Sequence, residues 1–345
     1  MSRVRRLVNG KECMMSDQKF WNDYYSYWDN FVKEWFYKVK DLKIDGLLNL
    51  DPIEEYKCVK GLELKELPEP YIRKISKDGL NYKHNHIKAV VINLNPGASS
   101  PAECTKCIKG LNDQGALIER YANECKGNYS AWISTYGCLL NEYPQGMREM
   151  IPGVDWWQGS NGKGGRMRWM RSFYGNDVTP EDVFALELCP YHSKSWDLRN
   201  ISDETRRYVW SRVIKPAVVA ATEDDVSCIT CIGQDIERIL KETLKFERIA
   251  SWENGKYIEN ECRKDIEWPT TGRTNNLVDM HYILYKSKCK CEDLPTRPRP
   301  FLCIWHKGGN NPPSKEFVGN VETKIRERIN NMNQEEMRRA RDVMK

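Results

Sequence analysis

The chain has 345 residues, 40% of them hydrophobic and 30% charged, which is a globular composition long enough for one large domain with additions or for two. No apolar run approaches the roughly 18 residues of a membrane span, and the basic start, MSRVRRLVNGKEC, lacks the apolar core of a secretory signal. An odd 13 cysteines without such a signal predicts reduced thiols in a cytoplasmic protein, and a net charge of +5 permits a nucleic-acid partner without demanding one.

In chain order, residues 16–45 read as a helix crowded with aromatics, with Trp21, Tyr25, Trp28 and Trp35 at helical spacing on one face. Residues 46–86 read as an irregular connection, with Pro and Glu concentrated around Leu67 to Pro70. The division predicted is therefore an aromatic-rich helical extension over 1–86 and an α/β domain with a C-terminal helix over 87–345. Ala89 to Leu94 is an apolar run too short for a helix and suited to a buried strand. Asn95-Pro96-Gly97 then makes a tight turn, and Ser100, Pro101 and Glu103 carry the marks of a helix start. A helix follows around Ala116 to Cys125, then loops and short helices that end in the glycine-rich DWWQGSNGKGGR.

Arg166 to Tyr174 reads as a short basic helix, and Thr179 to Asp182 as a cap-like turn. Val183 to Leu188 is a second buried strand, ending in Cys189-Pro190-Tyr191-His192. Asp203 to Ala221 is a helix kinked or broken near Pro216. Val226 to Ile232 is a third strand, stopped by Gly233 and followed by the helix Gln234 to Leu244. His281 to Tyr285 is a β segment, and Phe301 to Trp305 a fourth apolar strand, ending in His306-Lys307-Gly308-Gly309. A final helix begins near Ser314, with Phe317, Val321, Ile325 and Ile329 recurring every four residues.

Strands and helices alternate, and three strands end in loops loaded with polar residues. The fold predicted is α/β, a three-layer sandwich around a central, mostly parallel four-stranded sheet, with the N-terminal helical extension added. Its site is expected across the carboxyl ends of the strands.

Three loops in this order resemble the uracil-DNA glycosylase superfamily. Asn93-Leu94-Asn95-Pro96-Gly97-Ala98-Ser99-Ser100 is similar to the first motif of its mismatch-specific and thymine glycosylases and to the Asn-Pro-Gly of its single-strand-selective branch. Glu187-Leu188-Cys189-Pro190-Tyr191 resembles the second-strand motif of that branch, and Trp305-His306-Lys307-Gly308-Gly309-Asn310 stands where the family carries its His-Pro-Ser loop. Departures are Asn93 in place of the opening Gly, Glu187 in place of the base-reading Asn, and Lys307-Gly308-Gly309 in place of Pro-Ser.

The resemblance implies hydrolysis of an N-glycosidic bond in DNA after the base has been flipped out of the stack. Such a reaction builds positive charge on the sugar and negative charge on the departing base. Asn95 suits the holding of a water beneath C1′, and His306 suits donation to the base oxygen O2. Base-recognition candidates are Glu187, Asn93, Tyr191 and Trp156, with Trp157 an alternative stacking residue. An ionised Glu187 would accept from the cytosine N4 amino group, and a protonated one could also donate to N3, which points to a cytosine-type base with a bulky 5-substituent, as in modified phage DNA. The rival reading is a structural acid paired with a nearby Lys or Arg. DNA-binding candidates are Ser99, Lys163, Arg166, Arg168, Lys307, Gly308 and Asn310, those of 163–168 lying in an acid-free basic stretch.

No cofactor, no metal and no obligate protein partner is expected. The alternative is a zinc site on Cys104, Cys107, Cys289 and Cys291, because Cys228 and Cys231 lie three apart in a strand and face opposite sides. Two other functions stay open: a uracil or thymine-mismatch repair glycosylase, and a non-catalytic binder of modified DNA. A phosphate-binding nucleotide enzyme lacks its Gly-Lys-Ser/Thr or Gly-x-Gly-x-x-Gly after a strand.

Overall fold

The computed structural model describes residues 18–38, most of 51–94 and 128–140, then 165–193, 202–232, 246–253, 256–259, 282–287 and 300–305, with a few isolated positions besides. Residues 18–38 form the first helix, α1. Its aromatics recur every three or four positions, so Trp21, Tyr24, Tyr25, Trp28, Trp35 and Phe36 are all buried, while Lys19, Asp23, Asn30 and Lys33 face water. Polar handles fix the docking. The Trp21 indole donates to both carboxylate oxygens of Glu223, at 3.0 and 2.8 Å, and that of Trp35 to the Leu64 carbonyl at 2.7 Å. The buried Asp29 accepts from the Ser130 amide and hydroxyl, both at 3.0 Å, and from the Tyr82 hydroxyl.

The segment read as an irregular connection contains four strands. β1 is Leu62–Glu63, β2 Tyr71–Ile72, β3 Ile75–Asp78 and β4 Asn81–His84. β3 and β4 form a hairpin whose first turn residue, Gly79, has φ +60°. Asp78-Gly79 is the signal for it, since a tight hairpin needs positive φ where glycine is least hindered. β5 follows at Ala89–Asn93. The helices α2 (Tyr129–Tyr136, capped by Asn128 accepting from the Ala131 amide) and α3 (Gly165–Tyr174) precede β6 at Val183–Glu187. Thr179 and Asp182 make the cap-like turn ahead of β6, the Thr179 amide donating to the Asp182 carboxylate at 2.8 Å.

After the short β7 (His192–Ser193) come α4 (Asp203–Tyr208), a π-helical stretch (Val209–Ile214) and α5 (Lys215–Glu223). The kink expected near Pro216 takes this form. Pro216 offers no amide and its ring crowds the carbonyl four residues back, so the helix widens by one residue there instead of breaking. The chain then enters β8 (Cys228–Ile232), β9 (Phe246–Glu253), β10 (Lys256–Glu259), β11 (Tyr282–Ser287) and β12 (Phe301–Trp305).

The architecture is α/β, with a mixed sheet in the order β10-β9-β11-β12-β8-β5-β6-β2. The strands β12, β8, β5 and β6 are mutually parallel neighbours and coincide with the four apolar runs of the sequence. The four-stranded sheet expected is thus the centre of an eight-stranded one. The added strands pair antiparallel: β2 on β6, and β11, β9 and β10 beyond β12. Every residue of β5, β6 and β8 is buried, as in a parallel sheet covered on both faces. One hydrophobic cluster runs from Trp21 through Tyr71 to Cys303. α1 and β2 belong to the same core as β5, so the N-terminal helix packs onto the α/β domain.

Candidate functional site

From β5 the chain passes to β6 on one side and then to β8 on the other. The strand order thus reverses between β5 and β8, and in open α/β sheets ligands bind at the strands' carboxyl ends beside such a reversal. A side-chain hydroxyl supplements the direct pairing of these two strands. The Tyr174 phenol accepts from the Thr230 amide at 3.1 Å and stands 2.7 Å from the carbonyls of Val90 and of Cys228.

Asn93 ends β5 and Glu187 ends β6. They are direct register partners, so their side chains leave the same face of the sheet. The Asn93 Nδ2 amide donates to Glu187 Oε1 at 3.0 Å. Asn93 is 2% exposed and Glu187 6%. Each keeps one oxygen, Asn93 Oδ1 and Glu187 Oε2, that meets no hydrogen-bond partner among the described residues. A buried polar atom left open costs about 1–3 kcal/mol, so two together mark a place where the fold gives up stability. Burial pushes the Glu187 carboxyl up to about 8, and Glu69 pushes the same way; the Asn93 hydrogen bond, Arg166 and His192 hold it down only in part. Burial thus favours the neutral carboxyl of Glu187, while the buried Arg166 nearby favours the ionised one.

The frame around Glu187 comes largely from the N-terminal part of the chain. Its amide donates to the Pro70 carbonyl at 3.1 Å, and the Glu69 amide donates to the Pro190 carbonyl at 2.8 Å. A His192 ring nitrogen lies 3.1 Å from the Leu67 carbonyl. On the other side the amides of Leu188 and Cys189 donate to the carbonyls of Asn93 and Leu94, each at 2.9 Å. Glu69 and His192 thus stand beside the Glu187 candidate, and the sequence reading passed over both. Pro68-Glu69-Pro70 was the available signal, since two prolines hold an extended segment fit to line a strand end.

Two candidates change role. Arg166 was expected on a solvated, phosphate-binding face, yet it is 6% exposed, with its guanidinium 5.5 Å from the Trp169 ring centre. Positions 166, 169, 170 and 173 follow the helical i, i+3, i+4, i+7 stripe, and all four are buried. Burial pulls the Arg166 guanidinium down to about 10, and the nearby Glu187 opposes this. Arg168, on the outer side of α3, stays partly exposed. Tyr191 was expected to read a base, yet its hydroxyl accepts from the Ile53 amide at 3.0 Å. Its ring packs on Phe31 and Tyr56, so it pins the N-terminal segment beneath the site. The Tyr56 hydroxyl in turn donates to the Leu188 carbonyl.

Trp157 is buried at 3% exposure. Asn95, Ser99, Trp156, Lys163, His306, Lys307, Gly308 and Asn310 lie outside the described residues, as do Cys104, Cys107, Cys289 and Cys291. Among the described residues, no three His, Cys, Asp or Glu side chains converge as metal ligands, and no helix is long and apolar enough to cross a membrane. The thiols of Cys189 and Cys231 are buried and pushed well above their ordinary range, which keeps them protonated.

Comparison with known proteins finds no family model, no curated protein and no solved structure that matches the chain.

Proposed function

We propose that the chain is a monofunctional DNA glycosylase that excises a flipped-out pyrimidine, a 5-substituted cytosine such as glucosylated 5-hydroxymethylcytosine of phage DNA, and leaves an abasic site. The observation that carries this reading is the buried Asn93–Glu187 pair, with one oxygen each left without a hydrogen-bond partner, at the carboxyl ends of β5 and β6. A base edge is flat, polar and needs partners at two adjacent positions. The ends of β5 and β12 stand two strand spacings apart, roughly 10 Å, and in sequence they lead within two residues to Asn95 and within one to His306. On this reading the fold is a three-layer α/β sandwich whose parallel centre carries both catalytic groups.

In the reaction proposed, the bond between C1′ and the base nitrogen breaks. The electron pair leaves with the base, and water held by Asn95 adds to C1′. His306 donates a hydrogen bond to O2 as the base becomes an anion. The water's spare proton passes to solvent. Arg168 and Lys307 are left to contact phosphate.

The test is an abasic-site assay. The full chain is incubated with oligonucleotides carrying uracil, a thymine mismatch, cytosine, 5-hydroxymethylcytosine or its glucosylated form, then treated with alkali. Strand breaks at a modified cytosine that vanish in Asn95→Ala are the expected result. Breaks confined to uracil keep the enzyme class and remove the cytosine assignment. Binding without breaks at any base overturns the catalytic reading.

A further inference from the structure

We infer that Asn93 and Glu187 together read one edge of a planar base as an acceptor–donor couple, with Asn93 Oδ1 accepting from the ligand and Glu187 Oε2 donating to it. This rests on the glycosylase reading and assigns its base-recognition chemistry. Asn93 spends its amide hydrogen on Glu187 Oε1, so its oxygen is the atom left to accept. Glu187 Oε1, taking that hydrogen bond, is the carbonyl oxygen of the neutral acid, and the proton sits on Oε2. Buried oxygens of both residues stand open at paired positions of adjacent strands. The matching ligand presents a donor beside an acceptor. Cytosine offers N4–H and N3; uracil and thymine offer N3–H and O4.

The groups that face Glu187 bear on its proton. Glu69 comes from the segment before β2, Asn93 from β5, Arg166 from α3, His192 from β7, and the Cys189 thiol from its own loop. Glu69 and the dry surroundings hold the proton on; Asn93, Arg166 and His192 work against it. Recognition is accordingly a property of the acid form, lost as the pH rises through the Glu187 titration at about 8.

Two measurements on the full chain test this. The first needs no DNA: the infrared difference between wild type and Glu187→Gln near neutral pH. A protonated carboxyl band that fades toward about pH 10 is expected, and its absence overturns the inference whatever the protein binds. The second is binding of oligonucleotides carrying one non-hydrolysable 2′-fluoro nucleotide, either 5-hydroxymethylcytosine or uracil, from about pH 6 to about pH 10. Wild type is expected to lose affinity by about 10-fold or more. Glu187→Gln places an amide N–H where Oε2–H stood, and is expected to bind with no such loss. The preferred oligonucleotide tells which base supplies the edge. Affinity that rises with pH in wild type and collapses in Glu187→Gln overturns the donor role and restores an ionised acceptor. The infrared band without discrimination between modified, unmodified and uracil oligonucleotides is the failure of the glycosylase reading, and it overturns the base as ligand.

Discussion

Glu187, buried, and His84, partly buried, show how single groups shape the pH response of the fold. The Glu187 carboxyl sits at about 8 in the fold against an ordinary 4.5. A raised acid contributes stability that is present below 4.5 and is lost as the pH climbs to about 8, because only the folded state holds the proton in that window. His84 does the reverse. Burial, then Arg73, pushes it down to about 3 from 6.5, so its stability is present above 6.5 and is lost as the pH falls toward 3. Its Nε2 lies 3.7 Å from a Glu223 oxygen, yet a ring this depressed is neutral and the contact is no ion pair. The two slopes cancel between 4.5 and 6.5, so thermal unfolding should give a plateau there and fall on either side. Glu187→Gln removes that cancellation: stability should rise with pH up to about 6.5 and stay level above it, with a gain over wild type of a few kcal/mol above about pH 8 and none below pH 4.5. An unchanged alkaline limb in that variant would show that Glu187 is not held protonated.

Single elements carry the next level. β5 and β8 pair directly over Val90 to Ile92, and the Tyr174 hydroxyl adds a bridge between Val90 and Thr230. Tyr174→Phe should leave the Thr230 amide and the Val90 carbonyl unsatisfied in a dry sheet, at about 1–3 kcal/mol. Urea unfolding would read this as a lower midpoint with an unchanged slope. Which runs form the parallel centre was legible, because short β-branched stretches bounded by Pro and Gly can form little else. The edge strands were not. β2 is two residues long, below any periodicity, and it is a strand only because Leu186 and Ala185 of β6 pair with it. α3 was seen as a helix and its basic residues as one solvated face. The i, i+3, i+4, i+7 stripe instead carries Arg166 inward with Trp169, Met170 and Phe173.

At the scale of the molecule, α1 is part of the core. Its aromatics interlock with Tyr71, Tyr82 and Phe184, and Arg73 lies between the Trp21 and Phe184 rings, 5.2 and 4.8 Å from their centres. A buried cation here is held by Asp224 at 3.6 Å and by the Tyr25 hydroxyl at 3.3 Å, so one end of the sheet depends on α1. A chain begun at residue 87 should therefore not unfold cooperatively; circular dichroism showing a sharp melt would refute this. The same dependence reaches the site, since Leu67, Glu69 and Pro70 frame Glu187.

From the sequence alone came the alternation of strands and helices, the four parallel strands, and the nomination of Asn93 and Glu187 as candidates at their carboxyl ends. Each rests on local patterns: apolar run length, turn residues and caps. Only the tertiary structure decided that burial pushes the Glu187 carboxyl up, that Asn93 is its partner 94 residues away, and that Arg166 and Tyr191 face inward. The reason is physical. Protonation and hydrogen-bond partnership depend on how much water is excluded and which strand lies alongside, and both are set by contacts between segments far apart in the chain.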